Sequence, residues 1–255
     1  MDLKGKVALV TGGARRVGKA IALSLAREGA NLAIHYGRSE SAAQQTAGEI
    51  AALGTEAIPL RADLSDPAQI ESLFETLQSR LGRLDVLVNS AASFQKRPFD
   101  QISLEDWEQV MAINLRAPFL CTQHAARLMR AVERPAGESA LVVNIADLSG
   151  VYPWLGYAHH GVSKAGLIHL TKVAARELAP GIRVNAIIPG PILPPPGMAP
   201  DSDRWQRISR IVPLARAGRP EDVGQAVVFL AQNDYVTGAA IEIDGGEHLL
   251  GPANH

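Results

Sequence analysis

KVALVTGGARRVGKAIALSLAREG, residues 6–29, decides the fold class. Its first six residues, KVALVT (6–11), centre on the apolar, partly β-branched VALV, as a buried strand requires. A helix pattern follows through GKAIALSLAREG (18–29) and stops at Gly29. Between them, TGGARRVG (11–18) places Gly12, Gly13 and Gly18 in a short connection. A dinucleotide-binding α/β fold needs small residues at that junction. The backbone must turn tightly, come close to a pyrophosphate and aim the helix N-terminus at its charge. The spacing is T-G-x-x-x-R-x-G rather than G-x-G-x-x-G, with Arg16 inside the turn. Gly12, Arg16, Val17 and Gly18 are therefore candidate cofactor contacts. A tight turn before any helix also uses glycine, so the turn gains force only from the strand before it.

The same alternation continues outward. Strands are expected at NLAIHY (31–36), EAIPLRAD (56–63), LDVLVNSA (84–91), SALVVNIA (139–146), IRVNAIIP (182–189) and AAIEID (239–244). Pro59 argues against a central place for the third. Helices are expected over 39–53, 66–82, roughly 104–131, roughly 155–179, and from Pro220 onward. Asp66 is the natural N-cap of its helix, with Pro67 in the first position. Apolar strands alternating with helices predict a parallel, doubly wound sheet covered on both faces, with right-handed crossovers. No linker divides the chain, so residues 1–255 read as one domain. The proline-rich PGPILPPPGMAPDSD (189–203) is expected to be a loop over the active site.

Composition narrows the function classes. The 255 residues are 47% hydrophobic and 20% charged, with a net charge of −1 and no basic run. Nothing there favours nucleic acid or an anionic membrane. The single cysteine, Cys121, excludes an internal disulfide framework and reads as a buried thiol. There is no H-E-x-x-H spacing, and no metal is expected. The N-terminus enters a strand almost at once and no apolar run would span a bilayer, so a cytoplasmic location is expected.

The end of the second strand bears on the nucleotide. An NAD site usually carries Asp or Glu there to bond the ribose hydroxyls. HYGRSE (35–40) has no acid at the strand end; Tyr36 is followed by Arg38 and Ser39. A guanidinium beside a hydroxyl suits a 2′-phosphate, which points to NADPH. Glu40 is expected to face solvent. Asp63 and Leu64, closing the third strand, are placed for the adenine. Asn89 and Ala91, closing the fourth, are expected to line the cofactor groove.

TGGARRVG, AD (62–63), VNSAA (88–92), Asn114 in MAINLRAP, VVNIAD (142–147), GYAHHGVSK (156–164), RVNAIIPGP (183–191) and GAAIEIDGG (238–246) follow one another in a set order. With these motifs the chain resembles the short-chain dehydrogenase/reductase family over essentially its whole length. The resemblance implies a sheet of about seven parallel strands, a nicotinamide cofactor and a homotetramer. It implies that Pro189, Gly190 and Ile192 lie along the cofactor, and that Lys164 bonds its ribose. Of the family's Asn, Ser, Tyr and Lys, this chain keeps Asn114 and Lys164. Asp147 stands at the Ser position and His160 at the Tyr position; Ser149 lies two residues late. Arg16, HYGRS, Ser93-Phe94, Asp147 and Tyr157 together resemble the pteridine reductase branch. There the Phe94 position stacks on the pterin, and the Asp147 and Tyr157 positions line the substrate pocket. A pterin offers a flat ring and N–H donors for a carboxylate, although ordinary packing would equally use a phenylalanine.

His160 is the departure. Imidazole titrates near neutral pH and can give a proton; Lys164⁺ disfavours its cation and Asp147⁻ favours it. Three readings follow. The first is a reductase using Asp147, His160 and Lys164. In the second, Tyr157 or Asp147 donates the proton. In the third, the protein binds nucleotide without turnover. The expectation is an NADPH-dependent reductase of a dihydropteridine or dihydrofolate-like C=N, with a ketone or 3-oxoacyl reductase as the alternative. Arg16, Phe94, Asp147, Tyr157 and His160 are expected to face that substrate, while nucleic acid and membrane partners are not expected.

Overall fold

In the computed structural model, residues 1–195 and 197–250 are described. Pro196 of the proline-rich loop and residues 251–255 of the expected domain lie outside them. Seven strands appear where apolar runs stand: β1 (Val7–Val10), β2 (Asn31–Tyr36), β3 (Ala57–Arg61), β4 (Val86–Asn89), β5 (Ala140–Ile145), β6 (Ile182–Pro189) and β7 (Ala240–Ile243). The helices are α1 (Arg16–Arg27), α2 (Glu40–Ala51), α3 (Pro67–Leu81), α4 (Leu104–Met111), α5 (Ala117–Arg130), α6 (Ala158–Leu178), α7 (Asp203–Ile211) and α8 (Pro220–Gln232).

All strand pairs are parallel, in the order β3-β2-β1-β4-β5-β6-β7. The architecture is a doubly wound α/β domain. Strands buried on both faces alternate their side chains between two cores. Ala8 and Val10 join Ile21, Leu25 and Ile50 and the Val223–Val227 face of α8. Val7 and Leu9 join Leu73 and Leu77 of α3 and Cys121 and Met129 of α5. Cys121 is fully buried, and burial pushes its thiol up to about 12, so it remains protonated packing material.

Local rules hold in detail. β3 is an edge strand, where Pro59 costs least. The Asp66 carboxylate accepts from the Ala68 N–H at 3.0 Å and caps α3.

Two features depart from expectation. The long helix over 104–131 is not continuous, because a π-helical turn, Ala112–Arg116, joins α4 to α5. Pro118 has no N–H to give the carbonyl of Asn114, four residues earlier, so the α ladder cannot close there. The second is α7, which follows the proline-rich loop and has Ser202 as its cap; the Ser202 hydroxyl accepts from Trp205 N–H at 3.3 Å.

The chain runs from β1 outward to β3, then returns to place β4 on the other side of β1. This topological switch point leaves a crevice at the carboxyl ends of β1 and β4. At the opposite end of the same strands, Asp85 is fully buried. It accepts from Val7 N–H (3.0 Å), Arg83 Nε (2.8 Å) and Arg134 Nη2 (3.1 Å), tying β1 to the approach to β4.

Candidate active site

The crevice opens into one cavity of about 1560 Å³. A single small-ligand pocket is roughly 300–1,000 Å³, so this one has room for a dinucleotide and a substrate together. Its floor is the glycine turn. Gly12 holds φ +64°, and a Cβ on Gly18 would stand 2.3 Å from the Gly12 carbonyl oxygen. Bare backbone is thus required where a pyrophosphate would approach. His35, at the end of β2, braces the turn. Its Nδ1 accepts from Gly12 N–H at 3.1 Å, and Nε2–H donates to the Ala62 carbonyl at 3.0 Å.

Most expected cofactor contacts line this cavity: Gly12, Arg16, Val17 and Gly18 on the floor; Arg38, Asp63 and Leu64 at one end; Ala91, Lys164, Pro189, Gly190 and Ile192 toward the other. Arg16 has φ +53°, and its Nη2 donates to the Pro194 carbonyl at 2.7 Å, latching the proline-rich loop to the turn. Glu40 is exposed, as expected.

Three expected cofactor contacts, and Asn114, expected to be catalytic, do not line it. Tyr36 packs into the core beside α2. Ser39 caps α2 by position and stays off the cavity. Asn89 faces sideways, its amide donating to Asn144 Oδ1 at 2.8 Å, which ties β4 to β5. Asn114 is fully buried in the π turn. Arg15, Arg61, Trp154, Arg204 and Glu247 line the cavity without having been expected to.

The reacting end is built on the start of α6 and the loop after β5. Tyr157, His160 and Lys164 lie on successive turns of one face. Phe94 stacks on Tyr157 with centroids 4.7 Å apart, and meets the His160 ring edge-on at 4.8 Å. Phe94 is 38% exposed, so it walls the cavity rather than filling a core.

Hydrogen bonding orients His160. The Asn114 amide nitrogen stands 2.9 Å from Ser93 O, 3.1 Å from Ser163 Oγ and 3.2 Å from His160 Nδ1. His160 Nδ1 is thus engaged by both Ser93 O, at 3.1 Å, and the Asn114 amide. Nε2 is left facing Asp147 Oδ2 at 3.9 Å, with no hydrogen-bond partner among the described residues. His160 is 2% exposed.

Burial pushes the Asp147 carboxyl up, but the facing imidazole and the Ser149 hydroxyl and N–H outweigh it and hold it below the usual range. Burial lowers Lys164 to about 8 against the opposing pull of Asp147; its Nζ donates to Ile145 O at 2.8 Å. The Tyr157 phenol is held above its ordinary value by burial and by Asp147, against Arg204, so it grips its proton. Ser149 gives its N–H to Asp147 Oδ1 at 2.8 Å, so it supports the aspartate and does not replace the serine.

A glycine-floored crevice at a sheet switch point, with a buried lysine one turn after a histidine, defines a dinucleotide-dependent oxidoreductase-type domain. The family model described as enoyl-(acyl carrier protein) reductase matches residues 12–248. A 3-oxoacyl-[acyl-carrier-protein] reductase of Synechocystis is 37% identical over 248 residues, covering 96% of this chain and 97% of that one. The corresponding reductase of Staphylococcus aureus is 35% identical over 247 residues, 96% and 98%. Among solved structures, a blue fluorescent protein from a metagenomic library, in complex with NADPH, superimposes with a TM-score of 0.87. It shares 36% identity and covers 96% of this chain and 99% of its own. A short-chain dehydrogenase/reductase from Serratia marcescens gives 0.88 at 33% identity, with 96% and 99% coverage. The chain belongs to the short-chain dehydrogenase/reductase family of NAD(P)-dependent oxidoreductases. These named relatives favour the 3-oxoacyl alternative over the pteridine reductase expectation. No helix among the described residues is long and apolar enough to cross a membrane.

Proposed function

We propose that the protein is an NADPH-dependent reductase of a carbonyl group, with His160 as proton donor. The observation that carries this is His160 Nε2, a buried imidazole nitrogen without a hydrogen-bond partner among the described residues, on the cavity wall. Serving as an acid requires a nitrogen not already committed to structure. Nδ1 is engaged by Ser93 O and the Asn114 amide, so Nε2, which faces Asp147, is the ring nitrogen left to pass a proton. Lys164⁺ faces the same space and stabilises negative charge growing on a substrate oxygen. The phenyl and phenol rings of Phe94 and Tyr157 exclude water from one side.

The cavity fits NADPH: backbone is bare at Gly12 and Gly18, and Arg15, Arg38 and Arg61 gather at one end. There they would hold a 2′-phosphate, with Asp63 and Leu64 by the adenine and Lys164, Pro189, Gly190 and Ile192 along the nicotinamide half. NADPH, when bound, supplies the hydride. Arg38→Ala is expected to weaken NADPH binding by about 1.5–3 kcal/mol, roughly 10- to 150-fold, with little change for NADH. Fluorescence titration of both nucleotides checks this, and equal native affinities for the two would overturn the NADPH assignment.

A second reading, reduction of a C=N in a dihydropteridine-like ring, is supported by the aromatic wall and by Asp147 in place of serine. NADPH consumption at 340 nm with acetoacetyl-CoA and with dihydrobiopterin separates the two. Consumption with neither, despite tight NADPH binding, would favour a protein that binds nucleotide without turnover. We also propose a homotetramer, supported by exposed Phe119 on α5 and Val162 and Val173 on α6. Light scattering is expected to return about four chain masses, and a monomer mass would overturn it.

A further inference from the structure

The substrate end of the cavity carries cations that the mechanism above does not use. Lys96, in the segment after β4, and Arg204 and Arg207, on α7, all line it and are exposed. Among the described residues, none of the three makes an ion pair or a hydrogen bond, whereas Arg97, next to Lys96, faces Asp106 at 3.7 Å. Lys96 is nevertheless held in place. Arg97 N–H donates to Gly156 O at 2.9 Å, which ties its segment to the one before α6. Gly156, at φ +81°, lets the lysine stem lie across it: a Cβ there would stand 3.0 Å from Lys96 Cε and 3.2 Å from Cγ. The ammonium comes within 5.9 Å of the Tyr157 ring centroid. Arg204 and Arg207 stand three residues apart on α7, a helix anchored by buried Trp205. Arg204 acts on the same tyrosine, opposing the hold on its phenolic proton.

We propose that Lys96, Arg204 and Arg207 form a receptor for an oxyanion, a carboxylate or a phosphate, that the substrate carries at the end opposite its carbonyl. This rests on the carbonyl reductase reading for the group at the other end. The cofactor's phosphates have other places in that reading, the glycine turn and the Arg15, Arg38 and Arg61 end. Charge then fixes which way round the substrate lies. Asp147, beside His160 at the inner end, repels a carboxylate or phosphate, and the three cations at the rim receive it. The span is short. The Tyr157 ring centroid lies 6.4 Å from that of His160 and 5.9 Å from Lys96 Nζ. The oxyanion therefore belongs about one ring's breadth beyond the carbonyl. Phe94, stacked on Tyr157, and Ile208 of α7 supply apolar wall between the two ends.

The whole chain carries a net charge of −1, so the three cations make a local field and not a generally basic protein. Such a field at a cavity opening draws anions in at low salt and weakens as salt screens it.

The test titrates 4-acetylbenzoate, 4-acetylphenyl phosphate and methyl 4-acetylbenzoate by calorimetry, into the protein alone and with NADP⁺ added. The three share a ring and a ketone and differ in charge. At least one of the two anions is expected to bind about 10-fold or more tighter than the ester, and which one does so separates carboxylate from phosphate. The margin is expected to shrink several-fold in about 0.5 M NaCl, a measurement that needs no variant to fold. In the combined variant Lys96→Gln, Arg204→Gln, Arg207→Gln it is expected to fall within about threefold, with NADP⁺ affinity unchanged. Equal binding of anions and ester by the native protein, binding of none of them, or a margin kept in the variant would overturn the receptor. Anion binding without NADPH consumption at 340 nm would instead count against the reductase reading and leave the receptor standing.

Discussion

Phenylalanine in place of His160 is expected to lower kcat by about 100- to 10,000-fold, the usual contribution of a positioned general acid. The ring keeps the Phe94 contact but loses Nε2, a buried nitrogen without a hydrogen-bond partner among the described residues. KM should move far less than kcat, because the loss falls on a proton given in the transition state. His160→Tyr, which installs the residue usual in the family, is expected to recover more activity than the phenylalanine variant. Steady-state kinetics on the native protein and both variants make the comparison. A kcat for His160→Phe within about threefold of native would remove the imidazole as donor and return the role to Asp147 or Tyr157. Of those two, Tyr157 is the poorer acid, since burial and Asp147 both strengthen its hold on the phenolic proton.

The largest stability effect is expected at the other end of the sheet. Asp85→Leu would leave Arg134, whose side chain is 9% exposed, without its carboxylate, and Val7 N–H without an acceptor. Breaking a buried ion pair from one side costs about 3–5 kcal/mol, or roughly 6–20 °C in melting temperature for a chain of this size. The pH dependence has a definite sign. Burial pushes the Asp85 carboxyl up, but Arg83, Val7 N–H and Arg134 together hold it below its ordinary value. A lowered carboxyl contributes fully above its unfolded value of about 3.9. That contribution is lost as pH falls through the folded value. Thermal melts of native and variant should therefore differ most at neutral pH and converge in acid. A gap unchanged from pH 7 to pH 3 would show that cavity or strain effects, not the ion pair, set the loss.

What was readable in advance follows from how each feature is encoded. Strands buried on both faces are continuous apolar runs, so all seven stood out, and Pro59 correctly marked an edge. The Asp66 cap is a local rule obeyed locally. The π turn escaped because apolar periodicity does not report backbone hydrogen-bond register. Its one local sign was Pro118, four residues after Asn114. α7 escaped because its charged DRWQRISRI buries little beyond Trp205.

At the site, residues at strand ends were placed at the right end but not on the right side. Tyr36 and Asn89 both close strands, yet one packs into a helix layer and the other bonds across to β5. Glu247 follows two glycines and opens a 3₁₀ turn, and nothing in its local sequence marks it as a cavity residue. Only the fold returns that turn to the loop carrying Tyr152 and so to Asp147. The family was legible from motif order. The branch within it rested on a handful of pocket residues, and the named relatives lean toward 3-oxoacyl substrates instead.

The brace under the glycine turn carries one more meaning. Gly12 N–H is received by a lone pair on the His35 ring, and that lone pair is also where a proton would go. The floor of the crevice is in effect a base, and a proton taken up there would displace the Gly12 N–H. Burial holds the ring neutral, against the pulls of Ala62 O and Asp63, so its folded value lies below the ordinary 6.5. The turn is therefore intact above that range, and acid withdraws its acceptor. What acid would take from this turn is an electron pair, not a contact surface.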